Sequence, residues 1–332
     1  MKKRALRTAI IFFEVIAIAI AILAAGLFFL YWRLGQGPVS LDVFKRSIEY
    51  TVEQRAPDDF DAQISSIELL RADARDEYFL RLNDTKILDA DDELAAAAPE
   101  ILLTFSLGDI LKGGIGPKTV VADGASFRIV RHENLNVDIP IVSKTSNQKT
   151  GLGLSKLLEL RILKSAFSSA TISNAQITFL DEASGRAWAT RNAEVSLKRD
   201  GSGLSALVLG SIDMDGQRAT IDAVADYQSD DGVVNVVVDG VNFPVGNILS
   251  TFYGDGAGFI DAPASGRAIM KFTADGRVLA SQFDARLGAG FLEIGGKRRA
   301  VSLIEWETGF DPIQNIFTID SLNYDVEGMR GN

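Results

Sequence analysis

The sequence has no cysteine and a single histidine, His132. Without thiolates there is no disulfide framework, and with one imidazole there is no cluster for zinc or iron. A Ser-His-Asp arrangement would have to use His132, which stands in the polar stretch Arg131-His132-Glu133-Asn134 and reads as a solvated loop residue. Basic excess is also lacking. The net charge of −10 repels phosphate backbones, so no nucleic acid partner is expected. Phosphate-binding loops are missing too: Gly296-Lys297 is followed by Arg298, and Gly201-Ser202-Gly203 opens a strand rather than a helix. The acidic run Asp89, Asp91, Asp92 and Glu93 lacks the glycine and distal glutamate of a calcium loop, and reads as a solvated turn. No catalytic residue, metal or cofactor emerges, and the chain does not read as an enzyme.

What is present starts with an apolar segment. Residues 9–32 carry one charge, Glu14. As a helix they would reach ~36 Å, more than a ~30 Å hydrocarbon core. Lys2, Lys3, Arg4 and Arg7 precede the segment and only Arg33 directly follows it, so the positive-inside rule places the N-terminus in the cytoplasm. Tyr31 and Trp32 fall where an interfacial aromatic belt belongs. A cleaved signal peptide is the competing reading, but the run is too long and Leu34-Gly-Gln-Gly-Pro38 is a poor cleavage site.

Five segments follow: a cytoplasmic tail at 1–8, the transmembrane helix at 9–32, an α+β unit at 38–142, a polar linker at 143–151, and a β-rich region at 152–332. In the α+β unit Ser40 can cap a helix in which Leu41, Phe44, Ile48 and Val52 form one apolar face up to about Gln54. Packing on the neighbouring sheet is its expected role, with the membrane surface as the alternative. Strands are expected at Ile64–Leu70, Phe79–Leu88 and Ile101–Phe105, a helical turn at Ser106–Leu111, and a hairpin about Asp123-Gly124. A buried helix is expected at Leu154–Phe167.

Period-2 alternation recurs further on, for example at Ile177 and Phe179, Val195 and Leu197, Ile221 and Ala223, Val236 and Val238, and at Phe283. Polar residues such as Thr178, Glu194, Asp222 and Gln282 alternate with them. Asp-Gly pairs begin at 200, 215, 231, 239, 255 and 275, and predict type I′ hairpins in an antiparallel meander. Phe243–Phe252 is expected to break the meander with a short helix. The apolar face must be buried by closing a barrel, by packing on a second sheet, or by curling around something apolar.

The run from Arg81 to Ala95, the run Ala98-Pro99-Glu100 to Pro117 with Ser106-Leu107-Gly108-Asp109-Ile110-Leu111, and Ala122 to Arg131 resemble the AsmA-like superfamily of bacterial envelope proteins, closest to its YhdP-like members. Ile172 to Trp188 resembles that family's next unit. The resemblance implies an N-terminal transmembrane helix in the Gram-negative inner membrane, followed by an elongated, mainly antiparallel β-sheet in the periplasm, curled into an apolar groove. It further implies phospholipid as the partner, carried towards the outer membrane, with Ile177, Phe179, Val195, Leu197, Ile221, Val236 and Phe283 as candidate groove residues. Arg4, Arg7, Tyr31, Trp32 and Arg33 are the candidate membrane-interface residues. An ordinary closed core is the alternative for the seven groove residues, and a scaffold contacting other envelope proteins is the alternative function. The length suggests the N-terminal part of a longer protein, or a short member unable to span the periplasm.

Overall fold

A computed structural model of the chain describes residues 25–53 (except 27 and 30), 61–71, 77–89, 92–106, 116–132, 137–138, 167–182, 185–201, 203–214, 216–228, 230, 232–246, 260–273, 277–294, 296–312, 314 and 316–331. The expected linker at 143–151, the expected helix from residue 154 to residue 166, the turn at 107–111 and the interface residues Arg4 and Arg7 lie outside them. So does most of the segment 9–32. Among the described residues no helix is long and apolar enough to cross a membrane.

The protein is mainly β and forms one large mixed sheet. Its elements are β1 (Val39–Ser40), a 3₁₀ turn (Asp42–Phe44), α1 (Lys45–Glu53), β2 (Asp61–Gln63), β3 (Ser66–Arg71), β4 (Glu77–Leu88), β5 (Leu94–Ser106), β6 (Thr119–Asp123), β7 (Ser126–Arg131) and β8 (Val137–Asp138). There follow β9 (Ser169–Asp181), β10 (Arg186–Asp200), β11 (Gly203–Met214), β12 (Gln217–Gln228), β13 (Val233–Pro244), β14 (Ile260–Asp261), β15 (Pro263–Thr273), β16 (Val278–Leu287), β17 (Gly290–Ile294), β18 (Lys297–Asp311), β19 (Ile316–Val326) and β20 (Met329–Gly331). From β9 onwards the long strands pair antiparallel with their successors, as a meander requires. Gly201, Gly216 and Gly232 have positive φ in the turns predicted from Asp-Gly.

The Asp123-Gly124 hairpin is a correction. β6 and β7 do not fold back on each other. Both pair antiparallel with β5 and parallel with β9, so they are two pieces of one line of strand. Gly124 (φ 66°) supplies a left-handed kink between them, and the register to β5 and β9 continues unbroken across it. The same left-handed capacity that closes a hairpin serves here to kink a strand that already has a partner on each side. Asp239-Gly240 is a second correction: it lies inside β13, which runs to Pro244; the chain turns helical at Val245 and Gly246, and the rest of the expected helix, 247–252, lies outside the described residues.

Gly124 is one point on a seam across the sheet. Asp84 (φ 47°) in β4 stands opposite Pro99 in β5, which faces Gly124. Asn174 (φ 52°) in β9 and Asn192 (φ 58°) in β10 follow, then Gly210 in β11. Farther on come Gly240 and Asn242 (φ 59°) in β13 and Gly266 in β15. Asp123 fixes the bulge in β9: its carboxylate accepts from Asn174 Nδ2 at 2.7 Å and Ser173 Oγ at 2.8 Å. Those two donors hold its pKa below the usual carboxylate value. At Gly266 a Cβ would stand 2.5 Å from the Asp284 carbonyl oxygen, so only glycine allows β15 and β16 to approach this closely.

The first strands carry the only large, wholly buried apolar side chains among the described residues, Ile64 and Ile67. Leu41 and Ile48 close over them together with Leu82. Phe44 does not join them. The chain enters α1 through a 3₁₀ turn, which shifts the helical phase and leaves Phe44 exposed. Far from this cluster, at the end of the parallel pair, Arg131 and Asp181 form a buried bidentate ion pair at 2.8 and 2.6 Å.

Gly124→Val should lower stability by about 2 kcal/mol, because a β-branched residue is forced to positive φ, whereas Gly124→Asn should cost less than about 1 kcal/mol. Thermal unfolding of the detergent-solubilised chain, followed by circular dichroism, measures both.

Candidate functional site: an apolar face of the sheet

Two residues paired directly across a ladder point to the same side of a sheet, so register shows which side chains share a face. One ladder row runs Ile67, Leu82, Ile101, Ala122, Ile172, Val195, Val208, Ala223, Val238, Ala268, Phe283, Thr308 and Ile319. Beside it runs Leu69, Leu80, Leu103, Val120, Ala170, Leu197, Ala206, Ala225, Val236, Met270, Ser281, Phe310 and Phe317. Each row crosses the whole sheet from β3 to β19, and polar residues interrupt them only at Thr308 and Ser281. Four of the seven candidate residues, Val195, Leu197, Val236 and Phe283, lie in these rows.

Ile221 stands at the seam, paired with Gly210 and Gly240. Ile177 and Phe179 lie beyond it, paired with Phe127 and Ile129 of β7. Phe179 stacks on Trp188 with ring centroids 5.3 Å apart. The two sides of the seam present one face. Ile101 and Ile172 from one side and Phe127 from the other pack on the same cluster of Ala98, Ala122 and Ala125. Small residues fill this inner corner: Ala175 is 0 % exposed and Ala193 2 %. Any larger side chain would hold the two limbs apart. The seven candidate residues therefore all belong to one apolar face.

That face is not a closed core. Ile177, Phe179, Val195, Leu197, Ile221 and Val236 are only half-buried, and Phe283 is exposed. Nor does the sheet close into a barrel: among the described residues β1 pairs only with β3 on one margin, and β19 pairs with β18 and, at its end, β20 on the other. The opposite face is mixed, with exposed Asp222 and Asp226 on either side of an exposed Val224.

The rows begin beside helical residues 31–34, which precede β1. Tyr31 and Trp32 are exposed, and the Arg71 guanidinium at the end of β3 lies 4.2 Å from the Tyr31 ring centroid. Arg33 is exposed as well. Elsewhere, the turn at Asp89–Glu93 is not merely solvated, because Asp89 and Glu93 both bind Arg128. His132 Nδ1 lies 2.8 Å from a Glu182 carboxylate oxygen at the end of β7. Among the described residues no group of His, Asp or Glu is arranged to hold a metal ion.

The fold and this face define a mainly β protein built on one open mixed sheet with a continuous apolar side. The chain matches no protein-family model, no curated protein and no solved structure.

If the face is open, Phe283→Ala should cost only about 1–2 kcal/mol, well below the usual value for a buried phenylalanine, while Ile67→Ala in the closed cluster should cost about 3 kcal/mol. Denaturant midpoints of the two variants compare them directly.

Proposed function

We propose that the apolar face is a groove for lipid acyl chains, in a protein of the AsmA-like type anchored in the bacterial inner membrane by residues 9–32 with the sheet in the periplasm. The observation that carries this reading is the pair of apolar rows that cross the sheet and, beyond the closed cluster at Ile67 and Leu82, stay half-buried or exposed at Val195, Leu197, Val236 and Phe283. Apolar surface left in water is unfavourable in proportion to its area, so a face this long is covered in use. Acyl chains suit it. They are long, need no hydrogen bonds, and can move along rows that have no fixed polar stop for most of their length. The headgroup stays in water at the open side, so transfer requires no bond chemistry. The rows start at β3, the strand whose Arg71 packs on Tyr31, and they open beyond the strands that Leu41 and Ile48 cover, so lipid leaving the membrane beside the anchor meets the groove next to that cluster. The direction of that reading is transport towards the outer membrane.

A second reading, a scaffold that meets other envelope proteins, is favoured by one observation. The outer strand β19 exposes Ile316, Phe317, Ile319 and Leu322, and among the described residues only Tyr324–Val326 of its free edge are paired. Such an edge invites a strand from a neighbour.

Extraction and mass spectrometry of lipid held by the purified chain separate the two. Val208→Asp combined with Val238→Asp places charges on the groove face and should remove most of the co-purified phospholipid. Val224→Asp, on the opposite face, should leave it unchanged. Equal lipid content in all three proteins would count against the groove.

A further inference from the structure

We infer that the 3₁₀ turn and α1 form a seat on the bilayer, in which Val43 and Phe44 enter the lipid interface of the membrane that carries the anchor. The inference rests on the anchored reading above and adds to it a second contact with the same membrane. Val43 is 86 % exposed and Phe44 55 %, although the element that carries them is firmly attached. Leu41 and Ile48 are packed on the sheet from the other side. The Leu41 N–H donates to the Ile67 carbonyl at 2.8 Å. The Asp42 carboxylate accepts the Ile67 N–H at 2.9 Å, and Glu49 accepts the Ile64 N–H at 2.9 Å. The Ile67 N–H, with the Ser40 hydroxyl, holds the Asp42 pKa below its ordinary value. The two apolar side chains are thus fixed outwards, not frayed outwards.

Their position names the occupant. β1 is the outermost strand of this margin, paired only with β3 among the described residues, and the turn and α1 continue directly from it. The same margin holds the exposed Phe28, Phe29, Tyr31 and Trp32, with Tyr31 tied to Arg71. From Arg71 back to Ile67, where the turn is attached, is about four residues, or ~13 Å along β3. On the anchored reading the groove runs across the strands and away from the membrane, so that distance is taken as sideways rather than upwards. Val43 and Phe44 then stay near the depth of Trp32. Lys45 and Arg46 follow them in the chain, as basic residues flank the apolar side of interfacial helices. Next to them a cleft of about 620 Å³ opens between α1 and β2, lined by Arg46, Ser47, Glu49, Tyr50, Asp61 and Gln63. Its mixed charge suits a zwitterionic headgroup better than a purely anionic one.

The chain has no cysteine, so a single introduced thiol takes an environment-sensitive dye alone. We would label Val43→Cys, Phe44→Cys, Trp32→Cys and Thr178→Cys in the full chain. Each would be reconstituted in phosphatidylcholine vesicles containing lipid spin-labelled at the headgroup or along the acyl chain, in both leaflets. The inference predicts blue-shifted emission and quenching, strongest from the headgroup label, at positions 43 and 44, with neither at 178. Quenching at 32 without quenching at 43 and 44 would overturn the seat and leave the anchor standing. No quenching at 32, 43 or 44 would overturn both. Val43 is exposed enough that its substitution removes no internal packing, so loss of signal there reports position and not misfolding.

Discussion

Cross-strand register is the constraint on which the rest of the structure depends. Side chains alternate along a strand, so a slip of one residue in any pair would turn half the sheet over. Here the pairing holds two apolar rows on one side through every long strand from β3 to β19. Val195 paired with Val208, Ala223 with Val238, and Ala268 with Phe283 are separate local contacts, yet together they make one surface. That surface has no second sheet over it among the described residues.

The left-handed seam gives this surface its shape. A flat sheet would present its rows to bulk water. Left-handed residues at Asp84, Gly124, Asn174, Asn192 and Asn242 turn the chain at matching positions, and at Asn192 and Asn242 they coincide with bulges that shift the register. The inner corner then admits only small side chains, which explains Ala125, Ala175 and Ala193 there, while Gly266 lets β15 and β16 approach and Gly240 leaves room for the Phe243 ring of its own strand. Such positions in a sheet are usually treated strand by strand; here their alignment makes them one seam.

Much of this is legible in the sequence, for reasons that can be named. Asp-Gly at 200, 215 and 231 marks true hairpins, and with the alternation around them puts Val195, Ile221 and Val236 on a common face. Asp-Gly at 123 and 239 misleads, because the motif reports only that a residue can take positive φ or lack a side chain. Whether the chain then returns or runs on depends on partners distant in sequence, here β5 and β9 for Gly124 and β15 for Gly240. The parallel pairing of β6 and β7 with β9 is hidden for the same reason. The alanine-rich start of β5 has weak strand preference, and its pattern is readable only from Ile101 onwards. β17 to β19 escape the pattern because Gly295-Gly296 and Asp311-Pro312 separate runs in which charged and apolar residues do not alternate cleanly. Phe44 falls on the wrong side when the helix is extrapolated backwards through a 3₁₀ turn.

The central claim, that the apolar face carries acyl chains, is tested most directly in living cells. A photocrosslinking amino acid would be placed singly at Phe179 and Val195, with Thr178 and Glu194 as opposite-face controls. The account predicts phospholipid adducts at the first two positions and none at the controls. Absence of lipid at both groove positions, with efficient crosslinks to protein instead, would contradict it.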